Sequence, residues 1–170
     1  MKRLQHFLRS SAYWWLLLIG ALSAEGVALY YQYGLDYGPC VLCIHIRLWL
    51  MALVLVAVVA LVGHQQRWTL NLCHPLALVT AIGFAERSWR TLAVERYWIE
   101  SSCTLNSGLP GWFTPEQWWP WMFEIWEACG YTPMVGPFSM AEWLAAASIP
   151  FVLLTLLASG VHFFTRRPAH

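Results

Sequence analysis

The run from position 41 to 63 is built almost wholly from Leu, Val, Ala, Ile and Trp. A helix of roughly 20 residues, rising 1.5 Å per residue, crosses a hydrocarbon core about 30 Å thick. No water is available there to satisfy backbone groups, so a helix is the conformation open to such a run. Three further stretches read the same way, at 13–33, 70–92 and 140–164. The third is the least uniform, with Pro75 near its start and Glu86, Arg87 and Arg90 toward its end. Composition agrees: the chain is 59% hydrophobic and 11% charged, about half the charge of an ordinary soluble domain. The expected fold is an all-α membrane protein, one four-transmembrane-helix bundle over 1–170 with a long loop at 93–139. The net charge of +1 and the absence of a basic cluster exclude a nucleic-acid-binding role.

The first span has a rival reading as a cleavable leader, because Leu22-Ser23-Ala24 offers small residues at a cleavage position. Apolar character continues past it through Val27-Ala28-Leu29-Tyr30-Tyr31, whose tyrosines suit a membrane boundary. An uncleaved span is therefore expected. Charge sets the orientation. Lys2, Arg3, Arg9, Arg67, Arg166 and Arg167 lie on one side with no acidic residue. Asp36, Glu95, Glu100, Glu116, Glu124 and Glu127 lie on the other with Arg96. The positive-inside rule puts both termini in the cytoplasm and the long loop outside.

Within that loop, Trp118, Met122, Ile125 and Trp126 recur at helical spacing, with Glu116, Glu124 and Glu127 largely opposite. The pattern predicts an amphipathic helix over 115–129, interrupted or restarted at Pro120, lying on the outer membrane boundary. Packing of the tryptophans on the bundle is the alternative.

Five cysteines punctuate the chain: Cys40, Cys43, Cys73, Cys103 and Cys129. An odd count allows two pairs and one leftover, and the sequence alone does not fix the pairing. The charge argument puts all but Cys73 on the outward side, where disulfides persist. Pro39-Cys40-Val41-Leu42-Cys43 opens the second span, and Pro39 costs little just ahead of a helix. Unpaired N–H groups and the positive dipole end favour a thiolate on that first turn. Arg47 follows Cys43 at i+4, on the same face and about 6 Å deeper.

A C-x-x-C pair serves metal sites, structural bridges and redox centres alike. Four cysteines could ligate zinc, but the 103–129 separation is far from the usual ligand spacing. Purely structural disulfides are a second alternative. The third is two exchanging dithiol/disulfide pairs, one at the bundle mouth and one on the loop, where Cys103 lies in a polar stretch suited to exposure. Electrons would enter at the loop pair and leave at the helix pair. The sink must be a membrane-soluble oxidant stronger than cytosolic glutathione, which points to a quinone. Arg47 is placed to donate to a quinone carbonyl oxygen, against the alternative that it only snorkels to the surface.

Taken together, these residues resemble the disulfide bond formation protein B (DsbB) family of bacterial inner-membrane thiol oxidases. The likeness covers most of the chain: four spans, inward termini, Pro-Cys-Val-Leu-Cys, Arg47, and Cys103 with Cys129 before the last span. It implies a quinone-linked oxidase, using ubiquinone or menaquinone, that reoxidises a DsbA-like thioredoxin-fold partner in the periplasm. It further implies that the partner attacks Cys103, that Cys129 is the exchange partner from the same loop, that Cys40 passes electrons from the loop, and that Cys43 faces the quinone. Ile46 stands where the family carries a polar residue. Ser139-Met140-Ala141-Glu142-Trp143 loosely matches the family's start to the last span, which would put Met140 near the quinone. Rival functions are a dedicated oxidase for one specialised partner, a non-enzymatic scaffold and a metal-binding protein. Glu25, deep in the first span, is a functional candidate by default, or a structural ion-pair partner for Arg87 or Arg90. His45 reads as a structural histidine and Cys73 as a dispensable free thiol.

Overall fold

A computed structural model describes residues 7–8, 10–100, 108–127 and 129–164. Its frame is four long helices: α1 (Ser11–Gly34), α2 (Val41–Val62), α3 (Arg67–Glu95) and α6 (Met140–Phe164). All four are long and apolar enough to cross a membrane, and they form the expected four-helix membrane bundle. Two further single turns, α4 (Pro115–Trp118) and α5 (Pro120–Phe123), interrupt the long connection. Helix α1 packs on α2, α2 on α3, and α3 on α6.

The packing follows membrane rules. Large side chains such as Ile19, Leu55, Val79 and Leu153 face outward, while Ala57, Ala60, Ala77, Ala81 and Ala158 are wholly buried at the helix contacts. Lipid is as apolar as leucine, so close backbone approach through small residues is what favours association. Gly83 is the tightest case: a Cβ there would overlap the Trp49 indole of α2. Helix α1 contributes Tyr13, Trp14, Leu17, Leu18 and Ala21 to the shared core.

Three features depart from the sequence reading. Helix α3 starts and ends three residues beyond the expected 70–92, with Pro75 and its late charges inside it. Those charges are satisfied locally: Glu86 binds Arg87 at 2.9 Å and also pairs with Arg90. Neither arginine therefore serves Glu25, and that ion-pair alternative is overturned. The amphipathic helix expected over 115–129 is two four-residue turns parted at Pro120 and ending at Phe123. Beyond Phe123 the backbone is extended at Glu124. The chain is also not wholly α: β1 (Met134–Val135) and β2 (Phe138–Ser139) pair antiparallel. Gly136, at φ +70°, opens the two-residue turn between them, a conformation glycine adopts freely.

The hairpin delivers the chain to α6 through a capping box. The Glu142 N–H donates to Ser139 Oγ at 3.2 Å, and Ser139 N–H donates back to Glu142 Oε2 at 2.8 Å. Glu142 also pairs with Arg96 just beyond α3, so the start of α6 is tied to the end of α3.

Candidate functional site

Pro39 and Cys40 set the geometry of the bundle mouth. Cys40 is the N-cap of α2, and its Sγ accepts the Cys43 N–H at 3.4 Å. Two intervening residues put the second cysteine at the third helical position, where an N-cap side chain finds a free donor. The two sulfurs lie 2.9 Å apart as free thiols. Cys40 is buried and Cys43 half-buried. The hydrogen bond to Cys43, and then burial, hold the Cys40 thiol above the usual cysteine range.

The same pocket of apolar packing contains a third cysteine. Cys40, Leu42 and Val94 form a buried cluster against which Cys43 and Cys129 pack. Cys129 is disulfide-bonded. Gly130, at φ +116°, follows it, and Tyr131 stacks on Tyr37 with ring centroids 6.3 Å apart. A hydrogen bond shared with Tyr37 raises the exposed Tyr131 hydroxyl above its ordinary range. Cys103 lies outside the described residues. Cys73 is free and buried near the start of α3, at the other end of the bundle.

Arg47 is 4% exposed and does not reach open solvent. Its Nη1 donates to Gln32 Oε1 at 2.7 Å and to the Met122 carbonyl at 2.6 Å. Gln32 Nε2 and the Tyr33 hydroxyl both donate to the neighbouring Trp121 carbonyl. Met122 and Phe123 are buried against Ile44. The Trp126 N–H donates to the Pro39 carbonyl at 3.1 Å, and a Cβ at Gly38 would meet Trp126 Cβ at 2.5 Å. The 120–127 segment is therefore clamped over the cysteine pair, with its Trp121 and Trp126 exposed, as are Trp118 and Trp119 just ahead of it.

Below Arg47 lies Glu25, 4% exposed, with neither carboxyl oxygen hydrogen-bonded among the described residues. Arg47 is within electrostatic reach of Glu25 and of both Cys43 and Cys40. Next to Glu25, Ala21 and Ala24 line an apolar cavity of about 340 Å³ with Leu50, Leu53, Pro150 and Phe151. His45 lies two residues from Arg47 and lines a separate cavity of about 250 Å³ with Trp49 and Arg87. Met140 opens α6 with its N–H on the Pro133 carbonyl, and no hydrogen bond joins it to Arg47 or the cysteines among the described residues.

Gln32 escaped the sequence reading, though a lone amide among span-end tyrosines was a usable signal. The capping box at Ser139 and Glu142 was equally legible. At the opposite end of the bundle, Tyr13, His74 and His162 form a buried aromatic cluster, with His162 Nε2 2.9 Å from Asn71 Oδ1.

Comparison with known proteins gives a consistent result. The family model described as "Disulfide bond formation protein DsbB" matches residues 10–158. The chain is 31% identical over 161 residues to disulfide bond formation protein B 2 of Pseudomonas aeruginosa, covering 92% of this chain and 93% of the relative. It is 28% identical to disulfide bond formation protein B of Photobacterium profundum, covering 98% and 96% respectively. The protein of the same name from Shewanella frigidimarina is 29% identical, with 92% and 94% covered.

Proposed function

This chain belongs to the disulfide bond formation protein DsbB family, and on that premise we propose that it is a disulfide:quinone oxidoreductase serving a DsbA-like thioredoxin-fold oxidase. The carrying observation is the single cluster at the bundle mouth. It holds the free Cys40/Cys43 pair against disulfide-bonded Cys129, with Arg47 one helical turn beneath.

The proposed chemistry is two exchanges and one oxidation. A partner thiolate attacks Cys103, freeing the Cys129 thiolate, and the partner's second thiol completes its own disulfide. With the helix pair oxidised, Cys129 attacks Cys40 Sγ and Cys43 leaves as a thiolate; Cys103 then resolves the Cys129–Cys40 bond. This returns the loop disulfide and leaves two thiols on α2. Arg47, whose charge acts on Cys43, stabilises the leaving thiolate. A lipid-soluble quinone, ubiquinone or menaquinone, supplies the two-electron, two-proton acceptor that turns the Cys40/Cys43 dithiol back into a disulfide.

The residues fit such a group. Arg47 is a buried cation that always keeps its charge, Cys43 lies one turn above it, and an apolar cavity is lined by Ala21 and Ala24 of α1 and Leu50 and Leu53 of α2. Met140 is retained as a proposed quinone contact on family likeness alone. We place the protein in a bacterial inner membrane with both termini cytoplasmic, the orientation given by its charge asymmetry.

The test is quinone bleaching by the purified full chain fed a reduced thioredoxin-fold donor. Wild type should turn over, and Cys43→Ser should abolish bleaching while the donor still forms a mixed disulfide with the loop. A wild-type sample that bleaches no quinone overturns the reading.

A further inference from the structure

We propose that Glu25 carries the proton between the Cys40/Cys43 centre and the oxygen of the electron acceptor. This rests on the redox reading above. Forming the α2 disulfide removes two protons along with the electron pair, and two protons must reach the acceptor oxygens. Arg47 attracts an electron-rich oxygen but has no proton to release, because its guanidinium stays charged. Gln32 is an amide, and the Tyr33 hydroxyl is engaged on the Trp121 carbonyl.

Among the groups facing this point from each helix, Glu25 is the one suited to the transfer. On α3, Glu86 is held by Arg87 and Arg90. On α2, His45 turns into the separate cavity with Trp49 and Arg87. Helix α6 presents Ala147, Pro150 and Phe151. Glu25 is buried with both oxygens unbonded among the described residues, and an ionisable group left so inside a membrane span marks a proton or ion route. Arg47 links it electrostatically to both cysteines. An apolar cavity lined by Ala21 and Ala24 runs along the same stretch of α1.

The step balances. The Glu25 O–H bond breaks as an O–H bond forms on the acceptor oxygen. A thiol S–H then breaks to restore the Glu25 carboxyl. The electron pair left on that sulfur makes the Cys40–Cys43 bond, while the pair of the second thiol's S–H bond passes to the acceptor and reduces it by two electrons. The second thiol proton follows by the same route.

The experiment compares wild type, Glu25→Gln and Glu25→Asp, each as the full chain in lipid nanodiscs, with a short-chain ubiquinone and dithiothreitol as donor. Glu25→Gln should lower kcat about 10²-fold, with KM for the quinone and the thermal unfolding midpoint unchanged. Glu25→Asp should recover much of the rate. Infrared difference spectra of wild type should show a carboxyl C=O band that shifts when the α2 pair is oxidised, and Glu25→Gln should lack it. Wild-type kcat and pH profile in Glu25→Gln overturn the proposal. So does a loss that tracks a lowered unfolding midpoint and is not recovered by Asp. If wild type itself reduces no quinone, the parent reading falls with it, so the two failures are distinguishable.

Discussion

The guanidinium of Arg47 is held by oxygens from two separate segments, Gln32 on α1 and the Met122 carbonyl on the long connection. Removing Gln32 leaves a buried cation short of an acceptor and the Trp121 carbonyl with the Tyr33 hydroxyl as its remaining side-chain donor. Hydrogen bonds to charged groups contribute about 1.5–3 kcal/mol. Gln32→Leu should lower the unfolding free energy by about that amount, measured in denaturant, and speed proteolysis near 120–127. Unchanged stability would mean the amide is idle. A second prediction concerns the thiols. Cys40 is buried, and its thiol is held above the usual range by Cys43; Cys43 is half-buried. Brief alkylation of the folded, reduced protein at neutral pH should label Cys43 well ahead of Cys40, read by peptide mass spectrometry. Equal labelling would contradict the packing at the mouth.

At the scale of elements, the connection between α3 and α6 is where local sequence signals and final structure part. The helical spacing of Trp118, Met122, Ile125 and Trp126 suggested one amphipathic helix. Pro120 has no N–H to continue the first turn, and the pull of Pro39 and Arg47 on the chain favours extended backbone beyond Phe123. A four-residue turn has little helical stability of its own, so docking contacts decide its path. Those contacts depend on Gly38, where a side chain would meet Trp126 Cβ at 2.5 Å. Gly38→Ala should lift the segment, shift Trp fluorescence and cost about 1–3 kcal/mol as an overpacked contact. An unaltered spectrum would show that the segment does not depend on this approach.

At the scale of the molecule, the orientation remains the proposal of the charge pattern, and it predicts that a reporter fused at His64 reads cytoplasmic while one fused near Gly111 does not. The reverse result would put Cys40 and Cys129 in a reducing compartment and remove the basis for exchange. The four spans were legible because lipid imposes a rule that local sequence can state: a segment of about 20 apolar residues must satisfy its own backbone. The cysteine pair was legible for a similar reason, since C-x-x-C at a helix start fixes N-cap and third position by chain geometry alone. What joined Arg47 to Gln32, Cys129 to Cys40 and Val94, and left Glu25 without its expected arginine was set by tertiary packing. Those pairings hang on helix rotation and on the path of a docked loop, energies summed over contacts distant in sequence. No local pattern of residues carries them.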